Sequence, residues 1–127
     1  MALLTEQCSQ ALAAFAESVQ NTEAWQEWSQ AQLSLEGDEA LMRLFSRYEE
    51  LSVAMRNAKA QGGGLSGEQV VELAQVRDGI INHPLYIRRE EASEQLARLF
   101  QGMNSLLTKR MGVDFAAMAA PRIGCCG

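Results

Sequence analysis

The sequence predicts an all-α fold, a five-helix antiparallel bundle with two long heptad-patterned helices. Apolar residues recur at steps of three and four along most of the 127 residues, which places them on one face of a helix. Capping residues or glycines separate these amphipathic stretches. Apolar residues make up 47 % of the chain and there are only 2 prolines, as is typical of a folded helical protein. We expect one helical domain over residues 1–112 and an irregular cysteine-bearing tail over 113–127.

The first two predicted helices, 3–20 and 23–35, carry an apolar stripe that loses phase between them. Five residues separate Val19 from Ala24 where three or four would continue the stripe, and Asn21 and Thr22 are good capping residues at this break. Tryptophans three apart, like those of the second helix, are usually core or interface anchors. The stripe and tryptophan residues are Leu4, Cys8, Leu12, Phe15, Val19, Ala24, Trp25, Trp28, Ala31 and Leu35.

The third predicted helix, 39–61, follows Asp38 and ends at three consecutive glycines. These glycines lack the lysine that a phosphate-binding loop requires, so we interpret them as a turn between helices. Ser66 and Gln69 then form a capping box for the fourth predicted helix, 67–82. The heptad residues of the third helix are Leu41, Leu44, Tyr48, Leu51, Met55 and Ala58.

The fifth predicted helix, 84–111, begins at Pro84 and ends before Gly112, as helices often do. It would be about 42 Å long, whereas a compact domain of this size is about 36 Å across. We therefore expect a homodimer or a higher homo-oligomer, most simply with two-fold symmetry. We also expect the third and fifth helices to pack antiparallel as a spine. The residues of this spine that we expect to be buried in the oligomer are Leu44, Tyr48, Leu51, Leu96, Leu99 and Met103.

Charge is distributed unevenly. The formal net charge is −5, and residues 1–42 hold seven acidic residues but no lysine or arginine. This acidic third would repel nucleic acid, so we expect no direct nucleic-acid binding. It is either a solvated helix face or a docking surface for a basic partner. No stretch is apolar enough to span a membrane, and the N-terminus lacks the features of a secretory signal, so we expect a cytoplasmic protein.

The sequence shows no arrangement typical of an enzyme. Carboxylates are plentiful, but none is paired with a histidine or spaced like a metal ligand. His83 is the only histidine, and its neighbours in sequence supply no partner for acid–base catalysis. We interpret it as a turn residue and predict that the protein is not an enzyme.

The three cysteines fall into two classes. Cys8 lies on an apolar stripe, which predicts a buried structural thiol. Cys125 and Cys126 lie in a glycine-flanked end and are the candidate metal ligands. A tetrahedral metal site or an iron–sulfur cluster usually needs four ligands, so two tails, or one tail with a partner, would have to combine. Redox or thiol exchange and an inert tail remain the alternatives.

Four groups of residues, in this order, carry a resemblance to a known family. They are Trp25 with Trp28, Asp38-Glu39-Ala40-Leu41 with Leu44-Phe45, Asn82-His83-Pro84-Leu85, and Gly112-Val113-Asp114-Phe115. With this order and spacing, the chain resembles the YlbF/YmcA family of small bacterial cell-fate regulators over nearly its whole length. We therefore expect residues 1–112 to be a YlbF/YmcA-like domain.

The resemblance implies an oligomeric, all-helical protein that binds other proteins and lacks catalysis of its own. In the best-known members, related subunits assemble with a PSP1-domain partner. That complex influences RNA processing by a membrane-anchored endoribonuclease, and with it competence, sporulation and biofilm formation. Tail cysteines in the family are associated with iron–sulfur clusters. The leading hypothesis is thus a non-catalytic regulatory adaptor, and the alternative is a metal- or redox-responsive sensor that uses Cys125 and Cys126, with an iron–sulfur cluster shared with another chain.

Overall fold

The protein is all-α, and the computed structural model describes its residues 3–121. Within that range there are six helices and no strand. The helices are α1 (Glu6–Gln20), α2 (Glu23–Glu36), α3 (Glu39–Ala60), α4 (Gly67–Ile81), α5 (Pro84–Met111) and α6 (Phe115–Ala119).

The five predicted helices are confirmed, with small differences at their ends. The first begins at Glu6 instead of residue 3, because the Thr5 side chain accepts a hydrogen bond from the Cys8 amide and caps the helix there. The count of five is wrong, because α6 forms in the segment expected to be irregular. Asp114 starts α6 by accepting a hydrogen bond from the Ala117 amide at 3.0 Å. A helix of five residues is too short to show a period in the sequence.

Helices α2 and α5 form one antiparallel pair. The Trp28 indole donates to Ser93 Oγ at 3.1 Å, and Gln32 accepts from Arg89 at 3.3 Å. Residue numbers thus rise along α2 as they fall along α5. The rings of Trp25 and Trp28 are 5.5 Å apart and half-buried, so the tryptophans help to join these helices.

Helices α3 and α4 form a second antiparallel pair across the glycine turn. Arg47 on α3 donates to both carboxylate oxygens of Glu72 on α4, with Nε–oxygen distances of 3.0 and 3.1 Å. Further along α4, a Cβ added at Gly79 would lie 3.3 Å from Leu44 Cδ1, so this glycine allows close approach of the helices. Gly62 has a φ of 79° and makes the turn possible without strain.

The main core lies where the two helix pairs meet. One buried side chain from α2 joins side chains from α3 and α4, and residues at the start of α5 pack against them. Burial of these side chains away from water is what holds the pairs together. The buried residues are Leu35, Leu41, Leu51, Val76 and Ile80, with Leu44, Phe45, Leu73, Leu85 and Tyr86 packed around them.

The predicted spine of the third and fifth helices is wrong. No Cα atom of α3 lies within 8 Å of a Cα atom of α5 in the described chain. The short connection after α3 returns the chain directly as α4, so α3 packs on its neighbour in sequence. A heptad pattern identifies a face that needs a partner but not which helix supplies it.

Burial of the predicted spine residues is mixed within the single chain. Leu51 and Leu96 are buried, Leu44, Leu99 and Met103 are half-buried, and Tyr48 is exposed. Their burial in an oligomer stays a prediction. None of the helices found between residues 3 and 121 combines the length and apolar character needed to cross a membrane.

Candidate protein-interaction surface

The predicted metal ligands Cys125 and Cys126 lie outside the described residues. Cys8, predicted to be buried, is instead an exposed free cysteine. That prediction is wrong for the single chain because α1 packs closely on α2 alone among the described helices, which leaves most of its stripe uncovered. Across residues 3–121, no three His, Cys, Asp or Glu side chains come together in a way that could hold a metal ion.

His83 serves the helix junction between α4 and α5, in agreement with its interpretation as a turn residue. Its Nδ1 accepts a hydrogen bond from the Leu85 amide at 3.1 Å and so caps α5. Its Nε2 lies 3.8 Å from Asp38 Oδ2, and the other oxygen of Asp38 caps α3 through the Leu41 amide at 2.8 Å. The histidine thus orders the ends of two helices.

An apolar groove runs between α3 and α4 and continues to the start of α5. We call it the α3–α4 groove. It consists of two adjoining hollows of about 250 and 240 Å³ that share Tyr48 and Arg77. The residues that line it are Phe45, Tyr48, Val70, Leu73, Ala74, Arg77, Ile80, Ile81 and Tyr86.

The α3–α4 groove exposes large apolar side chains to solvent. Tyr48, Val70 and Ile81 are all exposed along it, and the half-buried rings of Phe45 and Tyr86 lie 6.2 Å apart at one end. Arg77 adds one positive charge, and its only ion pair in the described chain is an exposed contact of 3.3 Å with Asp78. These exposed apolar side chains make the α3–α4 groove a candidate association surface.

A second depression, about 550 Å³, lies between α2 and α5 and is acidic. Glu23 and Glu27 line it from α2, and Glu91 and Glu94 line it from α5. Arg88 enters it and donates to Glu27 at 2.9 Å, and this hydrogen bond lowers the pKa of the Glu27 carboxyl and raises the pKa of Arg88. The acidic third of the sequence therefore contributes to a surface shared with α5.

Sequence reasoning missed the α3–α4 groove. Val70 and Ile81 belong to the apolar pattern that predicts the fourth helix, and both are exposed in the structure. The signal lay in the breadth of the apolar face of α4, where Val70 and Val71 follow each other and Ile80 and Ile81 do the same. Adjacent positions on a helix point about 100° apart, so both members of each pair cannot face one neighbour.

Comparison with known proteins agrees with the sequence resemblance. A family model described as "Control of competence regulator ComK, YlbF/YmcA" matches residues 9–112. A solved structure titled "Protein of Unknown Function (DUF964) from Bacillus stearothermophilus" has a similar fold, with a TM-score of 0.55 and 11 % identity over 84 % of this chain and 94 % of that chain. No curated protein matches. Since the family model covers most of α1, all of α2 to α5 and the turns between them, the chain belongs to the YlbF/YmcA family of regulators.

Proposed function

We propose that this protein is a non-catalytic regulatory adaptor that acts by binding other proteins. The family is described by control of the competence regulator ComK, which supports a regulatory role. The observation that carries the proposal is the α3–α4 groove, because it offers a partner a continuous apolar surface. The proposal includes self-association, related subunits and a PSP1-domain protein as partners. It includes no direct contact with nucleic acid or membrane.

The groove is suited to an amphipathic helix of the partner. A helix docks in such a groove by inserting apolar side chains spaced three and four apart. Val70 and Ile81 line opposite ends of the groove and are separated by three helical turns, about 16 Å, on α4. A carboxylate on the partner helix would complement Arg77, which both hollows share.

Two neighbouring valines of α4 allow a matched test. Val70 lines the groove, whereas Val71 does not, and the two are similarly exposed at 54 % and 57 %. An aspartate at either position changes charge and size equally. Val70→Asp should therefore remove partner binding through the groove, and Val71→Asp should leave it intact.

The measurement is co-elution of the purified chain with the purified PSP1-domain protein of the same organism, followed by titration calorimetry. We expect binding by the parent chain and Val71→Asp, and at least about fivefold weaker binding by Val70→Asp, since loss of one well-packed anchor costs over about 1 kcal/mol. Absence of binding by the parent chain would reject this partner. Equal binding by the two variants would show that the groove is not the surface used.

The cysteine pair stays a proposed ligand pair within this role. One tail supplies two thiolates, Cys125 and Cys126, whereas a cluster is usually held by four, so a single chain does not complete such a site. The sensor alternative therefore requires a second chain. An ultraviolet–visible spectrum of anaerobically purified assembly tests it. Iron–sulfur charge-transfer absorbance that is lost in Cys125→Ser with Cys126→Ser supports a sensor, and a colourless, metal-free assembly contradicts it.

A further inference from the structure

The two chain connections between the helix pairs meet at a histidine and an aspartate. Gly37 and Asp38 connect α2 to α3, and Asn82 and His83 connect α4 to α5. His83 Nε2 lies 3.8 Å from Asp38 Oδ2. We propose that His83 is a pH-sensitive switch, in which the neutral imidazole caps α5 and protonation replaces this cap by an ion pair with Asp38. The inference goes beyond the proposed function and does not depend on a binding partner.

The two connections lie where a hinge between the helix pairs would be. In the described chain, no Cα atom of α2 lies within 8 Å of a Cα atom of α4, and the same holds for α3 and α5. The backbones of the two pairs therefore come close only between helices that a connection joins, which are α2 with α3 and α4 with α5. A change at Asp38 and His83 thus acts at the place where the pairs are joined.

The cap of α5 requires the neutral form of His83. Pro84 has no amide hydrogen, so Leu85 carries the first amide of the helix, and it donates to His83 Nδ1 at 3.1 Å. A ring nitrogen that accepts a hydrogen bond carries no proton, so the proton of the neutral ring lies on Nε2, the nitrogen near Asp38. A proton added to Nδ1 places two donors against each other and ends the hydrogen bond from Leu85.

Asp38 provides a partner for the imidazolium. Its Oδ1 accepts a hydrogen bond from the Leu41 amide at 2.8 Å, whereas its Oδ2 is the oxygen near His83. The side chains of His83 and Asp38 are only 25 % and 31 % exposed, and opposite charges attract each other more strongly in such a partly buried place than in water. Protonation thus removes an acceptor from the start of α5 and draws the ring towards the start of α3.

The other charged side chains of the packed helices leave Asp38 as the partner of His83. Among the described residues, Asp38 alone has a carboxylate oxygen within 4 Å of a nitrogen of His83. The charged residues nearest to the junction along each helix are Glu36 of α2, Glu39 of α3, Asp78 of α4 and Arg88 of α5. The last three each form an ion pair with a different residue. His83 is also the only histidine, and histidine is the side chain that ordinarily changes charge near neutral pH.

The switch also affects one end of the α3–α4 groove. Tyr86 directly follows the capped Leu85, lines the groove, and has its ring 6.2 Å from the ring of Phe45 on α3. A cap that orders the first turn of α5 therefore also orders this wall of the groove. We expect the first turn of α5 to become less ordered when His83 is protonated.

Nitrogen NMR of the full chain tests the switch, because a hydrogen bond from an amide to an imidazole nitrogen couples the two nitrogen nuclei. At about pH 7.5 we expect this coupling between Leu85 and His83 Nδ1, with the ring proton on Nε2. At about pH 5.5 we expect the coupling to be lost. The protection of the Leu85 amide from hydrogen exchange, relative to the intrinsic rate at each pH, should fall about fivefold, as for the loss of one helix cap. A coupling that persists at the lower pH, or is absent at both, overturns the proposal.

Two variants separate the switch from a purely structural cap. In His83→Asn the new side chain also caps helices but does not titrate, so the protection of Leu85 should be the same at both pH values. Asp38→Asn keeps an acceptor for the α3 cap but removes the charge near Nε2, so the coupling should be lost at a lower pH than in the parent chain. The Gln69 amide, which donates to Ser66 at the start of α4, is the internal control and should keep its protection. The same pH dependence in His83→Asn as in the parent chain, or an unchanged transition in Asp38→Asn, contradicts the proposal.

Discussion

Two arginines each connect the helices of one pair. Arg88 links α5 to Glu27 of α2, and Arg47 links α3 to Glu72 of α4. Their hydrogen bonds lower the pKa of both carboxyls and raise the pKa of both arginines. These groups are solvent-exposed, where ion pairs add little to stability. Their main effect is to favour one register of each helix pair, while the apolar core supplies most of the stabilisation.

Leu41 and Leu51 are the two fully buried leucines of the described chain, and truncation of Leu51 should be among the most costly substitutions. Leu51 is 1 % exposed and belongs to the cluster where the two helix pairs meet. Leu51→Ala should lower the free energy of unfolding by about 2–5 kcal/mol, because it removes buried methyl groups and leaves a cavity. The control is Leu33→Ala, at a position that is 66 % exposed, with an expected change within about 0.5 kcal/mol. Urea denaturation measures both, and equal losses would contradict the assigned core.

Asp114 should make the docking of α6 sensitive to acid. Hydrogen bonds from the Ala117 amide and from Asn104 lower the pKa of its carboxyl below the ordinary value of 3.8. Because folding lowers the pKa of this carboxyl, its ionised form stabilises the folded protein when the pH is above the ordinary pKa. This stabilisation is lost as the pH falls through the lowered pKa of the folded protein. We expect the amide resonance of Ala117 to shift below about pH 4 as α6 frays. In Asp114→Asn, which accepts the same hydrogen bonds but does not titrate, the shift should be absent.

The starts of α2 to α5 were the most predictable features of the elements. Thr22, Asp38, Ser66 and His83 precede α2, α3, α4 and α5, and the side chain of each accepts a backbone hydrogen bond. The helix α6 was missed although Asp114 is an ordinary capping residue, because the five residues that follow carry no period. Packing partners were less predictable. Burial along the predicted faces of α3 and α5 is mixed in the single chain, and the turn lengths that decide which helices meet act only in three dimensions.

Gly112 ends α5 in a conformation that other residues adopt at a cost. Its φ is +76°, and its amide donates to Thr108 at 2.9 Å. Gly112→Ala should lower the free energy of unfolding by about 1 kcal/mol, and Gly112→Asn by less, because asparagine tolerates left-handed geometry. Gly64→Ala is the control, since Gly64 has no positive φ and an added Cβ would meet nothing within 4 Å. Thermal unfolding that shows equal effects at both glycines would contradict this interpretation.

At the scale of the whole molecule, exposed apolar surface occurs in two separate places. The α3–α4 groove lies on one helix pair, and exposed apolar residues such as Leu4 and Leu12 lie on α1, which contacts only α2 among the described helices. The sequence indicated that apolar stripes exceed what one chain covers, but it placed Cys8 in the core because amphipathicity does not reveal which chain covers a face. The groove was not foreseen, because it arises from residues of three helices that only the fold brings together.

The central claim is that the exposed apolar surface of the single chain is an assembly surface. Light scattering after size-exclusion chromatography at micromolar concentration tests it most directly, because it reports mass independently of molecular shape. We predict a mass of twice the 14.0 kDa of the chain, or a higher multiple of it. A single species of 14.0 kDa would contradict the claim.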